Sequence, residues 1–153
     1  MKQVKVTITG KQYDKQGEET VLELVSVGRY YQKAGIDYVT YQETEVSGME
    51  GTTTLLKIYP DYVVLIRTGS VEQKMVFQLG HTHSGSYITP YGRFFITVIT
   101  KELNVNITQD DLGKIEIHYD IKLDGEWVNH NILTVKVRED NRYGNERTGK
   151  GSN

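Results

Sequence analysis

The sequence contains no cysteine, which excludes a disulfide framework, a zinc ribbon and a thiol nucleophile. It holds a single alanine, Ala34, and only two prolines. No stretch approaches the roughly 18 apolar residues of a membrane-spanning helix. The alternating N-terminus also lacks the apolar run of a signal peptide. We therefore expect a cytoplasmic protein without a membrane partner.

The sequence also lacks an excess of charge of one sign. It contains 18 basic and 20 acidic residues, which give a net charge of −2. This balance argues against a nucleic-acid partner attracted by bulk charge. The 153 residues suffice for one domain, but not for two ordinary ones.

The residues that are abundant favour β-strands. Valine, isoleucine and threonine are common and tyrosine occurs 11 times, and all four types are enriched in strands. Apolar and polar residues alternate with a period of two through most of the chain. The alternating runs lie near residues 4–8, 19–31, 36–46, 52–59, 62–68, 71–79, 84–89, 94–107, 113–123 and 127–138.

Short turns separate these runs, which is typical of antiparallel neighbours in a meander. About eight to ten strands need a closed barrel or a sandwich to hide their edges. Because most loops are too short for Greek-key crossings, the sequence predicts an all-β fold, a single closed antiparallel meander β-barrel of residues 1–138. Residues 139–153 contain no aliphatic side chain and are predicted to form a disordered tail. A short helix is expected near residues 32–35 or 108–112, where Thr108 would cap its start.

The alternation also predicts which side chains face the interior. A four-residue loop pairs Ile58 with Val63, and the next turn pairs Arg67 with Val71. On this register Leu79 also faces inward. The inward polar side chains are then Tyr41, Glu43, Thr54, Arg67, Gln73 and Tyr119.

A buried charge requires a partner, so Arg67 and Glu43 are expected to lie close together. Two interpretations remain open. The two side chains form a structural ion pair that sets the register or plugs one end of the barrel. Alternatively, Arg67 anchors the anionic head group of a ligand, since a barrel of about eight strands can hold one small ligand.

A second feature is the segment from Tyr87 to Gly92. Pro90 biases the residue before it towards an extended conformation, and Gly92 permits a positive φ. Tyr87 and Tyr91 would then flank a stiff turn at a barrel mouth. They either cap backbone groups at a corner or form a recognition lip for a ligand or partner.

The histidines do not predict a metal site. His81 and His83 have a spacing that metals can use, but further ligands would be needed. His118 and His130 fall on outward positions. We therefore expect no metal and no cofactor.

Several segments resemble those of a known family. They are Tyr41–Glu43, Gly51–Thr54, Ile66–Gly69, Met75–Phe77 and Tyr87–Gly92. They are similar to the YwiB-like family of uncharacterised bacterial proteins, a domain of unknown function, over roughly residues 2–138. The resemblance implies a calycin-like β-barrel, related in shape to lipocalins and fatty-acid-binding proteins. It implies no established activity.

Our first hypothesis for function is a module that binds a small amphipathic or anionic ligand inside the barrel. Arg67 would anchor this ligand. The residues expected to line or close the site are Glu43, Tyr41, Gln73, Tyr87, Tyr91 and Tyr119. The alternative is a barrel with a solid core, whose aromatic end meets a protein partner or a second copy of the chain. A hydrolase of a small acidic substrate is the third hypothesis, although no nucleophile–base pair is evident.

Overall fold

The structure, a computed structural model, describes residues 1–140. Within this range it consists of ten β-strands and no helix. The strands are β1 (Lys2–Tyr13), β2 (Glu19–Lys33), β3 (Ile36–Gln42), β4 (Thr52–Ile58), β5 (Val63–Gly69), β6 (Glu72–Phe77), β7 (Thr82–Thr89), β8 (Gly92–Thr108), β9 (Leu112–Leu123) and β10 (Glu126–Glu139). No helix of the described residues is long and apolar enough to cross a membrane.

The ten strands form a closed barrel in which each strand pairs antiparallel with its neighbours in the chain. The barrel closes where β1 pairs with β10, with Val4 opposite Glu139 and Tyr13 opposite His130. The predicted all-β, closed antiparallel meander is therefore confirmed.

The two positions at which a short helix was expected are hairpin turns instead. Ala34 and Gly35 link β2 to β3 with φ angles of 54° and 78°, the left-handed geometry of a tight two-residue turn. The hydroxyl of Thr108 does accept a hydrogen bond from the backbone N–H of Asp111, at 3.1 Å. This interaction closes a turn between β8 and β9, because too few residues separate the two strands to form a helix.

The predicted register is right at one hairpin and wrong at the next. Ile58 pairs with Val63 as expected, but Arg67 pairs with Gln73 and not with Val71. A shift of two residues leaves every side chain on its predicted face, since strands have a period of two. The inward placement of Leu79 is wrong: β6 ends at Phe77, and Leu79 is exposed in the following turn.

The C-terminal end of the barrel lies slightly beyond the predicted boundary. Strand β10 includes Glu139, and the backbone N–H of Asp140 donates to the carbonyl of Gln3 at 3.1 Å. The side-chain amide of Gln3 also donates to the Asp140 carboxylate, at 3.1 Å. The rest of the predicted tail, residues 141–153, lies outside the described residues.

The two ends of the barrel differ in packing. We call the end that carries the β2–β3, β4–β5, β6–β7 and β8–β9 turns the closed end, and the other the open end. The fully buried aliphatic and aromatic side chains concentrate in the closed half. They include Val4, Val6, Val39, Leu56, Val63, Leu65, Phe77, Ile115, Ile117, Val135 and Val137.

The closed end is also sealed by a polar contact. Tyr30 is buried there, and its hydroxyl donates to the Asp37 carboxylate at 2.5 Å. The side-chain amide of Gln32 donates to the same carboxylate oxygen, at 3.0 Å. These two hydrogen bonds compensate for the partial burial of the Asp37 carboxylate, because burying a carboxylate without partners is unfavourable.

Candidate functional site

The open half of the barrel contains two adjoining cavities. The mouth cavity has a volume of about 440 Å³ and lies between the β7–β8 turn and the inner faces of β6, β8 and β9. The side cavity has a volume of about 340 Å³ and lies against the inner faces of β1 and β2. Six residues line both cavities: Gln12, Ser47, Met49, Arg67, Tyr119 and Asn131. The cavities are therefore compartments of one site.

Arg67 and Glu43 form an ion pair in this site, as the sequence predicted. The Arg67 Nε lies 3.8 Å from a Glu43 carboxylate oxygen, and the side chains are only 15% and 3% exposed. The same Glu43 oxygen accepts a hydrogen bond from the Thr54 hydroxyl at 2.5 Å. Arg67 donates from Nη1 to the amide oxygen of Gln73 at 2.6 Å. Adjacent strands supply three of the four side chains, because Thr54, Arg67 and Gln73 are cross-strand partners. Glu43 follows the last residue of β3 directly.

The guanidinium of Arg67 is not fully satisfied by these contacts. Its Nε is buried and has no hydrogen-bond partner among the described residues, since 3.8 Å exceeds hydrogen-bond length. A buried donor without an acceptor is unfavourable by about 1–3 kcal/mol. This cost belongs to the buried pair itself, whereas a ligand could reach only the 15% of the Arg67 side chain that is exposed.

Tyr41 and Tyr119 surround the ion pair as neutral phenols. Burial raises the pKa of both side chains above the ordinary value of 10.0, and the charge of Glu43 raises the pKa of Tyr41 further. The charge of Arg67 opposes both shifts without cancelling them. Tyr119 packs its ring against Phe77 at a centroid distance of 4.8 Å, so the ring that borders both cavities also contacts the packed half.

The two other predicted tyrosines lie at the mouth. Tyr87 is opposite Gln73 across the β6–β7 ladder and lines the mouth cavity. Tyr91 also borders this cavity, but it is 95% exposed. The Thr89 hydroxyl accepts a hydrogen bond from the Tyr91 backbone N–H at 3.0 Å and so stiffens the turn. Neither tyrosine hydroxyl has a hydrogen bond to a described backbone group.

Sequence reasoning missed the asparagines of β10. Asn131 is buried, lines both cavities and donates its side-chain amide to Asn129 at 2.6 Å. Asn129 lies on the same inner face two residues earlier, opposite Ile121. The signal was present, because both asparagines continue the alternation of the buried Val135.

The β3–β4 loop was missed too. Ser47 and Met49 belong to this loop and border both cavities. Its turns are closed by backbone hydrogen bonds from Ser47 to Thr44 and from Gly48 to Glu45, at 3.2 and 3.1 Å. No periodic pattern marks such a loop, so only the fold reveals that it crosses the open end.

The histidines predicted to face outward do so, in two contacts on the outer surface. His118 Nε2 lies 2.9 Å from a Glu116 carboxylate oxygen and 3.5 Å from one of Glu102. His130 Nδ1 lies 2.6 Å from Asp120. None of these residues lines either cavity. Within residues 1–140, neither His81 nor His83 belongs to a cluster of three potential metal ligands.

The Glu116–His118 contact predicts a pH dependence. Hydrogen bonding to His118 lowers the pKa of Glu116 below its ordinary value of 4.5. A carboxyl whose pKa is lower in the folded state stabilises the fold at pH values above its ordinary pKa. This stabilisation is lost as the pH falls through the folded-state pKa. We expect Glu116→Gln to reduce the free energy of unfolding modestly down to about pH 4.5. The difference from wild type should shrink at lower pH.

Urea denaturation between pH 7 and pH 3 measures this difference. The control is Glu72→Gln, an exposed carboxylate on β6, which should change the free energy of unfolding by less than about 0.5 kcal/mol. A difference for Glu116→Gln that grows as the pH falls below the ordinary pKa of the carboxyl would contradict the prediction.

A closed ten-stranded meander with a lined cavity in one half defines a class of protein, the cavity-bearing antiparallel β-barrels. The chain matches the domain of unknown function DUF1934 over residues 6–135 and belongs to that family. The family resemblance seen in the sequence motifs is thereby confirmed.

A curated relative and a solved structure agree with this assignment. The chain is 25% identical over 119 residues to the "Uncharacterized beta-barrel protein YwiB" of Bacillus subtilis (strain 168), covering 78% of this chain and 82% of the relative. It also matches the crystal structure of the ywiB protein from Bacillus subtilis with a TM-score of 0.80 and 22% identity. That match covers 90% of this chain and 92% of the solved one. These similarities extend to the fold and not to an activity.

Proposed function

We propose that this protein binds a small amphipathic anion in the open half of its barrel, in the cytoplasm, with Arg67 as the anchor. The observation that carries the proposal is the position of Arg67, whose side chain borders both cavities and remains 15% exposed in an otherwise buried site. A ligand oxygen in either cavity would accept a hydrogen bond from the exposed part of the guanidinium, and hydrogen bonds to a charged donor are stronger than neutral ones.

The lining of the side cavity supports an apolar portion in the ligand. Ile8, Leu22, Leu24 and Leu133 contribute aliphatic surface on one side of Arg67. The mouth cavity is more polar near the guanidinium, where Gln73 and Asn131 lie. A head group at Arg67 with a hydrocarbon portion in the side cavity fits both surfaces, and cavities of this size are typical of small-molecule sites.

The charges of the lining support a singly charged head group. Inside the site Arg67 contributes one positive charge and Glu43 one negative charge, and the exposed Lys11 adds a second positive charge at the rim of the side cavity. The lining therefore carries one net positive charge, which matches a carboxylate and leaves a dianionic phosphate only partly neutralised. The neutral phenols of Tyr41 and Tyr119 add polar contacts without changing this balance.

The test compares two probes that share a chain and differ in charge, decanoate and 1-decanol. We expect decanoate to bind more tightly in isothermal titration calorimetry. Arg67→Gln should weaken decanoate binding at least about tenfold, as expected for loss of a charged hydrogen bond. It should leave decanol binding almost unchanged.

Arg138→Gln is the matched control, because Arg138 is exposed on β10. A thermal melt of each variant establishes that it is folded. Equal binding of the two probes by wild type, or unchanged decanoate binding by Arg67→Gln, would contradict the proposal.

A further inference from the structure

The wall of the barrel is incomplete beside the side cavity. Strand β2 pairs with β1 from Glu19 to Tyr30, but β3 pairs only with the part from Gly28 to Lys33. Residues Glu19–Val27 therefore have a strand partner on one side, and no described residue forms a ladder with their other edge. The backbone groups along such an edge are available to an additional strand.

The path of the β3–β4 loop explains why the edge is open. After Glu43, whose N–H donates to the carbonyl of Thr52 at 2.8 Å, the chain turns away from the line of β3. It continues through Ser47 and Met49, which border both cavities. The Gln42 carbonyl still accepts a hydrogen bond from the Ser26 hydroxyl at 3.4 Å, but beyond this point the loop crosses the open end and forms no ladder with β2.

The exposed side of this edge has little of the usual protection against pairing, since Glu19 and Glu23 are the only charged residues of the segment. Its outward valines Val21, Val25 and Val27 are 53%, 51% and 49% exposed. The segment Glu19–Val27 contains no lysine and no proline, the residues that commonly block edge strands. The part of β8 beyond Ile99 also lacks its β7 partner, but it carries Lys101 and two asparagines.

The inner side of the same edge lines the side cavity through Thr20, Leu22 and Leu24. Because side chains alternate along a strand, a segment that pairs here would place every second side chain over this cavity. The cavity side favours apolar residues in that segment. The outward side presents Glu19 and Glu23 and no basic residue, so it favours lysine or arginine.

We propose that the free edge of β2 is a docking site for an extended segment of a partner protein, apolar on its inner side and basic on its outer side. The segment would add a strand to the sheet between β2 and the β3–β4 loop and so cover the side cavity. This inference goes beyond the binding of a small anion, because it depends on the β2 edge and not on Arg67.

A second copy of the chain fits this edge less well. Two β2 edges related by a two-fold axis run antiparallel, and full overlap of Glu19–Val27 with itself places Glu23 opposite the Glu23 of the partner subunit. Like charges directly opposite each other destabilise a sheet. A basic segment instead places a cation against this carboxylate.

The probe is a fluorescein-labelled peptide of alternating residues, acetyl-Lys-Val-Lys-Leu-Lys-Val-Lys-amide, followed by fluorescence anisotropy with the full chain. We expect saturable binding that is lost when the central leucine is replaced by proline, since proline blocks strand pairing. Glu23→Lys and Val25→Lys should each weaken binding by at least about threefold, through loss of cross-strand pairs. Val105→Lys, on the free edge of β8, is the matched control and should bind as wild type does.

Hydrogen exchange supplies a measurement that needs no variant. The peptide should slow exchange of backbone amides within residues 19–27. Equal binding of the proline-containing peptide, equal weakening by Val105→Lys, or exchange unchanged in residues 19–27 would each overturn the proposal. Light scattering could instead reveal a dimer, with slowed exchange in residues 19–27 in the absence of peptide. That result would overturn the proposal in favour of self-association through this edge. Because Arg67→Gln leaves this edge intact, failure of decanoate binding and failure of peptide binding are distinguishable.

Discussion

Phe77→Ala is expected to lower the free energy of unfolding by about 3–5 kcal/mol, as is usual for removal of a buried aromatic ring. Phe77 is fully buried at the end of β6 and belongs to the packed cluster of the closed half. Its ring contacts Tyr119, whose side chain borders both cavities. The substitution would therefore leave a void directly beneath the binding site.

Urea denaturation of the variant and wild type measures the loss. Phe95→Ala is the matched control, because Phe95 is half exposed on β8, and it should cost less than about 1 kcal/mol. A loss for Phe77→Ala as small as that of the control would show that the closed half is not packed around this ring.

Arg67→Met is expected to lower the free energy of unfolding by about 3 kcal/mol, because it leaves a buried carboxylate without its cation. Glu43 is 3% exposed, and the substitution would leave its carboxylate with hydroxyl partners such as Thr54 but without a cation. Gln73 would lose the donor that now satisfies its amide oxygen. The penalty therefore comes mainly from the partners that stay behind.

A double-mutant cycle separates this penalty from simple loss of packing. The double variant Arg67→Met/Glu43→Gln should recover at least about 1 kcal/mol relative to the sum of the single changes, since it removes both charges. Arg138→Met, at an exposed position on β10, controls for the substitution itself. Additive effects of the two changes would contradict a coupled pair.

The barrel could be predicted from the sequence because its signals are local. Alternation with a period of two defines strand faces, and the short links define which strands are neighbours. A register error of two residues does not change which face a side chain occupies. The partner of Arg67 is Gln73 and not Val71, but Gln73 and Val71 lie on the same face. Leu79 was misplaced because alternation does not indicate where a strand ends.

The site was predicted only in part. Arg67 and Glu43 were identified because two opposite charges on inward positions require each other. The contribution of Ser47 and Met49 depends on how the β3–β4 loop crosses the open end, which no periodic pattern reports. The existence of the cavities likewise depends on how side chains from distant strands pack together. Knowing which residues face inward does not show whether they fill the interior.

The closure of the barrel by β1 and β10 has a consequence for folding. Val4 pairs with Glu139 and Tyr13 with His130, so the first and last strands meet across nearly the whole length of the chain. Such long-range pairing is slow to form, since the chain loses the entropy of loop closure before the stabilising contacts between the two strands can form. During synthesis β1 would emerge on the order of ten seconds before β10, at ordinary translation rates. Until β10 arrives, β1 has only β2 as a neighbour, and the growing chain presents an unpaired strand that must avoid other nascent chains.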